Sequence, residues 1–206
     1  MSEQSFFEYG TLEKDWLRSR DSYLGSAIDK IGHINRPMIP DTFEALVHSI
    51  ISQQISRKAQ QTIWNRLCSL ISPLTPAGVL ATPSSDLHRC GINPRRVGYI
   101  EEVAKSVIEG FLVLDRFPSL SDTEVCEQLC KLPGIGIWTA EMVLIHSLQR
   151  PNILSQGDLG IQRGMRKLYN LDIVTSELFS SFRDQYSPYA TVASLYLWEI
   201  AGGALQ

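Results

Sequence analysis

The stretch KLPGIGIWTAEMVL, residues 131–144, closes one helical pattern and opens another with only a short break between them. Ahead of it, Ser121 and Glu124 stand at capping-box spacing, which predicts a short helix running through Leu129. Apolar residues at helical spacing resume at Trp138 and carry a second helix to Leu148. Between the two, Leu132-Pro133-Gly134-Ile135-Gly136 continues neither pattern, so the segment reads as two helices joined by a Gly-x-Gly hairpin. Gly134 and Gly136 permit positive φ and the close approach of another backbone or a ligand. The helix that follows begins with N–H groups lacking intrahelical partners and with the positive end of its dipole, so a phosphate can dock there without a basic side chain. An ordinary tight turn between packed helices uses the same glycines, and this stretch alone does not separate the two readings.

Helical periodicity extends outward in both directions. Leu12, Trp16, Tyr23, Leu24, Ala27, Ile28 and Ile31 fall at helical spacing over Thr11–Ile31, and Gly32 stops the pattern. After a proline-containing link, Arg36–Pro40, Asp41 and Glu44 form a D-x-x-E capping box, and Phe43, Leu46, Val47, Ile50 and Ile51 make a stripe for one buried face. Ser56 can cap the next helix, which carries Ile63, Trp64, Leu67 and Leu70 until Ser72-Pro73 and Pro76 end it. Thr82–Pro94 is rich in turn residues and reads as a loop; Val97, Ile100, Val103, Ala104, Val107 and Ile108 then mark a helix that closes at Gly110. Asp158 can cap a helix through Tyr169, and Pro188 begins a last one that runs to about Ile200. With no strand alternation and no internal repeat, the fold class read from the chain is all-α.

A chain of 206 residues suits one large helical domain or two lobes sharing a core. Its 44% hydrophobic and 20% charged residues exclude disordered and fibrous classes. No run reaches the ~18 apolar residues of a membrane span, and the opening MSEQSFFEYG lacks the basic-then-apolar pattern of a secretory signal. The expectation is a cytoplasmic protein, or a nuclear one in a eukaryote, with no membrane partner. Cys68, Cys90, Cys126 and Cys130 form no C-x-x-C pair and have no histidine at zinc-ligand spacing, which predicts reduced packing residues and no metal. The net charge of −3 is unevenly distributed. Residues 1–47 hold five basic and eight acidic side chains, whereas His48–Ser106 holds seven basic (Arg57, Lys58, Arg66, Arg89, Arg95, Arg96, Lys105) against three acidic. One positive face can bind phosphates while the far side stays acidic, although a solvated helical surface gives the same count.

Asp158 stands in SQGDLG, residues 155–160. Helix N-capping is a frequent role for aspartate, and it is compatible with chemistry. Backbone N–H groups at a helix start favour the anionic carboxylate, and an anion there can stabilise an electron-poor sugar.

Taken together, KLPGIGIWTAEMVL and the later ILSQGDLGIQRG, with 22 residues from Gly136 to Asp158, resemble the helix-hairpin-helix superfamily of DNA glycosylases. FEALVHSIISQQIS and YSPYATVASLYLWEIA are similar to its 3-methyladenine DNA glycosylase II branch, so the likeness spans about residues 20–200. It implies a two-lobed all-α fold with the active site in the cleft between the lobes: a central lobe of residues 41–150 that includes the hairpin, and a second formed by 1–40 with 151–206. It further implies a monofunctional enzyme that rotates a damaged base out of double-stranded DNA and hydrolytically excises alkylated purines, acting as a monomer and without a cofactor. By this likeness Asp158 is the catalytic aspartate, and Gly134 and Gly136 form the DNA-binding hairpin. Trp138 falls where lyase-active relatives carry a catalytic lysine; it either helps shape the base pocket or serves as plain core. Gln53 and Gln54 match the segment that fills the gap left by the flipped nucleotide, and the sequence does not choose between them.

The chain departs from the branch pattern at Ala190, where an arginine is usual after the Pro-aromatic pair, and at Gln156, where a proline commonly precedes Gly-Asp. No cysteine follows Cys130, so the iron–sulfur cluster of many relatives is not expected. A binder of abasic or distorted DNA that leaves the glycosidic bond intact is the competing reading.

Overall fold

The computed structural model describes residues 4–205, so the opening residues 1–3, read above for a secretory signal, lie outside it. Among the described residues the chain is helical throughout, with one isolated β-bridge between Phe6 and Pro37 and no strand. Twelve α-helices and a 3-10 helix (Leu114–Ser119) are present among them. The chain divides into two compact units, Met1–Met38 with Gln149–Gln206, and Ile39–Leu148.

The first unit holds α1 (Thr11–Arg20), α2 (Ser22–Ile31), α10 (Leu159–Tyr169), α11 (Ser176–Tyr186) and α12 (Ala190–Gly202). The single helix expected over Thr11–Ile31 is two. Asp21 is extended, at φ −148°, and its side chain accepts from Leu24 N–H, so a residue able to cap interrupts a run whose apolar spacing does not change. Two members of that apolar pattern, Leu12 and Tyr23, are exposed. α12 is buried almost all round, from Ala190 to Leu197, and packs against α1, α2, α10 and α11. It forms the centre of a core that includes Leu17, Leu24, Ile28, Ile161, Met165, Phe179, Tyr186 and Tyr196.

The second unit holds α3 (Thr42–Ser52), α4 (Arg57–Leu70), α5 (Pro76–Ala81), α6 (Ser84–Arg89), α7 (Pro94–Ile108), α8 (Asp122–Leu129) and α9 (Ile137–His146). The stripe Phe43, Leu46, Val47, Ile50 and Ile51 is buried as its spacing requires, and α3 packs against α4, α7 and α9. Asp41, Ser56 and Ser121 cap α3, α4 and α8 by accepting from Glu44, Ala59 and Glu124 N–H. Pro76, read as a stop, starts α5 at its first turn, where the missing N–H costs nothing. The segment read as a loop, Thr82–Pro94, contains the short α6.

Candidate nucleic-acid interface and carboxylate site

Within the second unit, the hairpin runs from the end of α8 to the start of α9. Gly134 sits at φ +75°, and a β-carbon there would lie 2.2 Å from the Tyr99 ring, so both backbone conformation and packing require glycine. Gly136 differs. Its φ of −102° suits any residue, and a β-carbon would meet nothing within 4 Å. As N-cap of α9, Gly136 offers no side chain to the first-turn N–H groups, which leaves the approach to that helix end open. Trp138, in the first turn of α9, is half-buried, and the next residue, Thr139, is buried.

The loop after α3 is tied to this hairpin. Gln53 Nε2 donates to the Gly134 carbonyl at 2.9 Å and to Thr139 Oγ1 at 3.1 Å. Arg96, from the first turn of α7, donates through Nη2 to the Gln53 carbonyl, and burial lowers the pKa of its guanidinium below the usual value. Gln54 is exposed, at φ 51°, and among the described residues no partner holds its side chain. Arg95 donates through Nε to the Tyr99 hydroxyl, with its Cζ 5.6 Å from the ring centre. Two of the basic residues counted toward a positive face are therefore engaged within the protein.

In the first unit, Asp158 caps α10 and is 8% exposed. Its Oδ1 accepts from Ile161 N–H and from the indole Nε1–H of Trp198, each at 2.9 Å. The indole reaches the carboxylate because α10 is glycine at two positions facing α12. A β-carbon at Gly160 would lie 2.9 Å from Trp198 Cδ1 and 3.0 Å from Asp158 Oδ1, and one at Gly164 would lie 2.2 Å from the Leu197 carbonyl oxygen. Arg36 places its Cζ 5.2 Å from the centre of the Trp198 ring and pairs with Glu199 at 3.2 Å. Trp198, Gly160 and Arg36 are not marked out by local sequence. The available signal is the four-residue spacing of Gly160 and Gly164, which puts both on one helix face.

The two departures from the branch pattern have plain local roles. Ala190 is wholly buried at the start of α12, and Gln156 donates from its side chain to Ser176 Oγ at 2.8 Å. No cluster of three or more His, Cys, Asp or Glu side chains suited to a metal ion occurs among the described residues.

The model of the HhH-GPD superfamily base excision DNA repair protein matches residues 47–183, a span that takes in the glutamine loop, the hairpin and Asp158. DNA-3-methyladenine glycosylase 1 of Schizosaccharomyces pombe is 30% identical over 164 residues, which cover 77% of this chain and 72% of that protein. The structure of the S. pombe 3-methyladenine DNA glycosylase in complex with abasic DNA superposes with a TM-score of 0.88 at 28% identity, covering 95% of this chain and all of that one. The crystal structure of a DNA-3-methyladenine glycosidase from Bacillus halodurans superposes with a TM-score of 0.80 at 34% identity, covering 97% and 93%. A family model over more than half of its length, with relatives alike along nearly all the rest, means that this chain belongs to the HhH-GPD superfamily of base excision DNA repair proteins.

Proposed function

We propose that this protein is a monofunctional DNA glycosylase that hydrolytically excises alkylated purines, of the 3-methyladenine and 7-methylguanine type, from double-stranded DNA. The observation that carries the reading is the Asp158 carboxylate, nearly buried at the head of α10 and fixed by two N–H donors at 2.9 Å. The names of the relatives, DNA-3-methyladenine glycosylase and glycosidase, support the substrate class.

Alkylation of a purine ring nitrogen makes the base cationic and weakens its bond to C1′ of the sugar. As that bond breaks, the electron pair leaves with the base nitrogen, which neutralises the base and turns C1′ into an oxocarbenium ion. The negative charge of Asp158 stabilises that cation, water adds to C1′ and releases a proton, and an abasic site remains. So good a leaving group needs only modest catalytic power. Gly136 and the N–H groups that open α9 would receive a backbone phosphate, with Gly134 shaping the turn. Gln53 is held by the hairpin and Gln54 is not, which favours Gln54 as the side chain that fills the gap behind the flipped nucleotide. Trp138 offers an electron-rich face to a cationic base, and its position holds no amine that could form a Schiff base with the sugar.

The deciding experiment compares wild type with Asp158→Asn on DNA carrying methylated purines. Asparagine keeps the size and much of the capping ability of aspartate but loses the charge. Single-turnover release should slow by roughly 100-fold or more, as for other losses of an electrostatic stabiliser, while affinity for abasic DNA stays nearly constant. Wild-type rates in a folded variant would reduce Asp158 to a helix cap and favour the non-catalytic DNA binder.

A further inference from the structure

Arg96 belongs by count to a basic face, yet its guanidinium is half-buried and points its Nη2 at a main-chain carbonyl. That carbonyl is part of the peptide plane joining Gln53 to Gln54. Holding the plane restricts the rotation that sets φ of Gln54, and Gln54 sits at 51°, a region that residues with a β-carbon rarely adopt. The Gln53 side chain reaches the other way, to the Gly134 carbonyl in the hairpin turn and to Thr139 Oγ1 in the first turn of α9. A single residue is thus bonded through its backbone to α7 and through its side chain to the hairpin.

We propose that Arg96 and Gln53 are positioning residues that clamp the glutamine loop to the hairpin, so that Gln54 and the phosphate-binding end of α9 stand at a fixed spacing before DNA arrives. The clamp rests on the glycosylase reading for its purpose, but its existence can be measured without any excision. Ordering the loop in advance lowers the entropy lost when Gln54 enters the duplex. Arginine suits the task because its planar fork is pre-organised, whereas lysine brings a strongly hydrated point charge to the same half-buried place. Tyr99 backs the arrangement: its ring lies against Gly134 and its hydroxyl accepts from Arg95.

The test uses Arg96→Met, Arg96→Lys and Gln53→Met in the full chain. Without DNA, backbone amide order parameters in Arg96→Met should fall from the rigid range of about 0.85 to below about 0.6 at both 54–57 and 135–138, while α10 and α12 keep wild-type values. Gln53→Met should release 135–138 in the same way, and Arg96→Lys should restore part of the order lost in Arg96→Met. With duplex DNA carrying 2-aminopurine, the fluorescence rise that reports base flipping should slow by roughly 10-fold in Arg96→Met, and the slope of log affinity against log salt should match wild type. A slope smaller by about 0.9 would make Arg96 a phosphate contact and overturn the proposal. A loss of order confined to 54–57, with the hairpin unchanged, would also overturn it. Failure of the wild-type protein to flip any base would count against the glycosylase reading instead, and the order parameters would still decide the clamp.

Discussion

At Asp158, one carboxylate oxygen serves both a helix and a side chain that follows it by forty residues. Its cap role is legible in sequence because capping is local: an aspartate directly ahead of an apolar-periodic run receives N–H groups from its own helix. Trp198 is not legible, because it meets Asp158 only after α10 and α12 have packed, and nothing within a few residues of it signals the bond. Trp198→Phe keeps an aromatic ring and removes the donor. The bond exists before cleavage, so it acts by aiming the carboxylate at the sugar, and loss of such a supporting partner should slow single-turnover excision by about 10-fold or more, with abasic-DNA affinity and circular dichroism unchanged. Gly160→Ala puts a methyl group 2.9 Å from Trp198 Cδ1 and should disturb the same contact. If the two changes act through one bond, the double variant is barely slower than the worse single variant; additive losses would show that they act separately.

The hairpin is the element most fully legible in the chain, and the structure divides its two glycines between different tasks. Gly134 is required by φ and by Tyr99, while Gly136 is required by neither and stands where an N-cap side chain would otherwise close the helix end. Opposite effects follow for Gly136→Asp. Aspartate is among the best N-caps, so the thermal midpoint should hold or rise, while an anion placed at the proposed phosphate position should lower affinity for abasic DNA by at least roughly 10-fold. Unchanged affinity in a variant with a raised midpoint would remove the hairpin from the DNA interface. Elsewhere, element boundaries follow residues whose local role has two meanings. Asp21 falls inside the run read as one helix but caps α2, and Pro76 reads as a stop but opens α5. α11, on which Gln156 rests, is not among the expected helices, although Thr175 caps it by accepting from Leu178 N–H.

For the whole molecule, acid stability should be set in part by one half-buried imidazole of the second unit. His48 lies edge-on to Trp64 with ring centres 4.9 Å apart, and Gln60 Nε2 is 2.5 Å from its Nε2, where the amide donates to an unprotonated ring nitrogen. Burial pushes its pKa down to about 4. The unfolded imidazole titrates near 6.5, so between about pH 6.5 and 4 the unfolded chain binds a proton that the native protein refuses. Stability is unaffected above about pH 7 and falls as the pH drops through that window, by up to about 3 kcal/mol at its acid end. Urea midpoints measured from pH 7 to 4.5 should fall less steeply in His48→Gln than in wild type. An equal slope in both would place the controlling titration elsewhere. The division of the chain also has a consequence for how the protein is made. The second unit is one unbroken segment, whose ends are joined by Ile39 N–H donating to the His146 carbonyl, whereas the first unit draws on segments either side of it. On the ribosome, α1 and α2 therefore emerge well before α10 and α12 and wait while the 110 residues from Ile39 to Leu148 are translated, roughly 5–20 s at ordinary rates. During that interval Leu17, Leu24 and Ile28 have no core to join, so a nascent chain can hold a finished hairpin while the helix that carries its proposed catalytic carboxylate has yet to leave the ribosome.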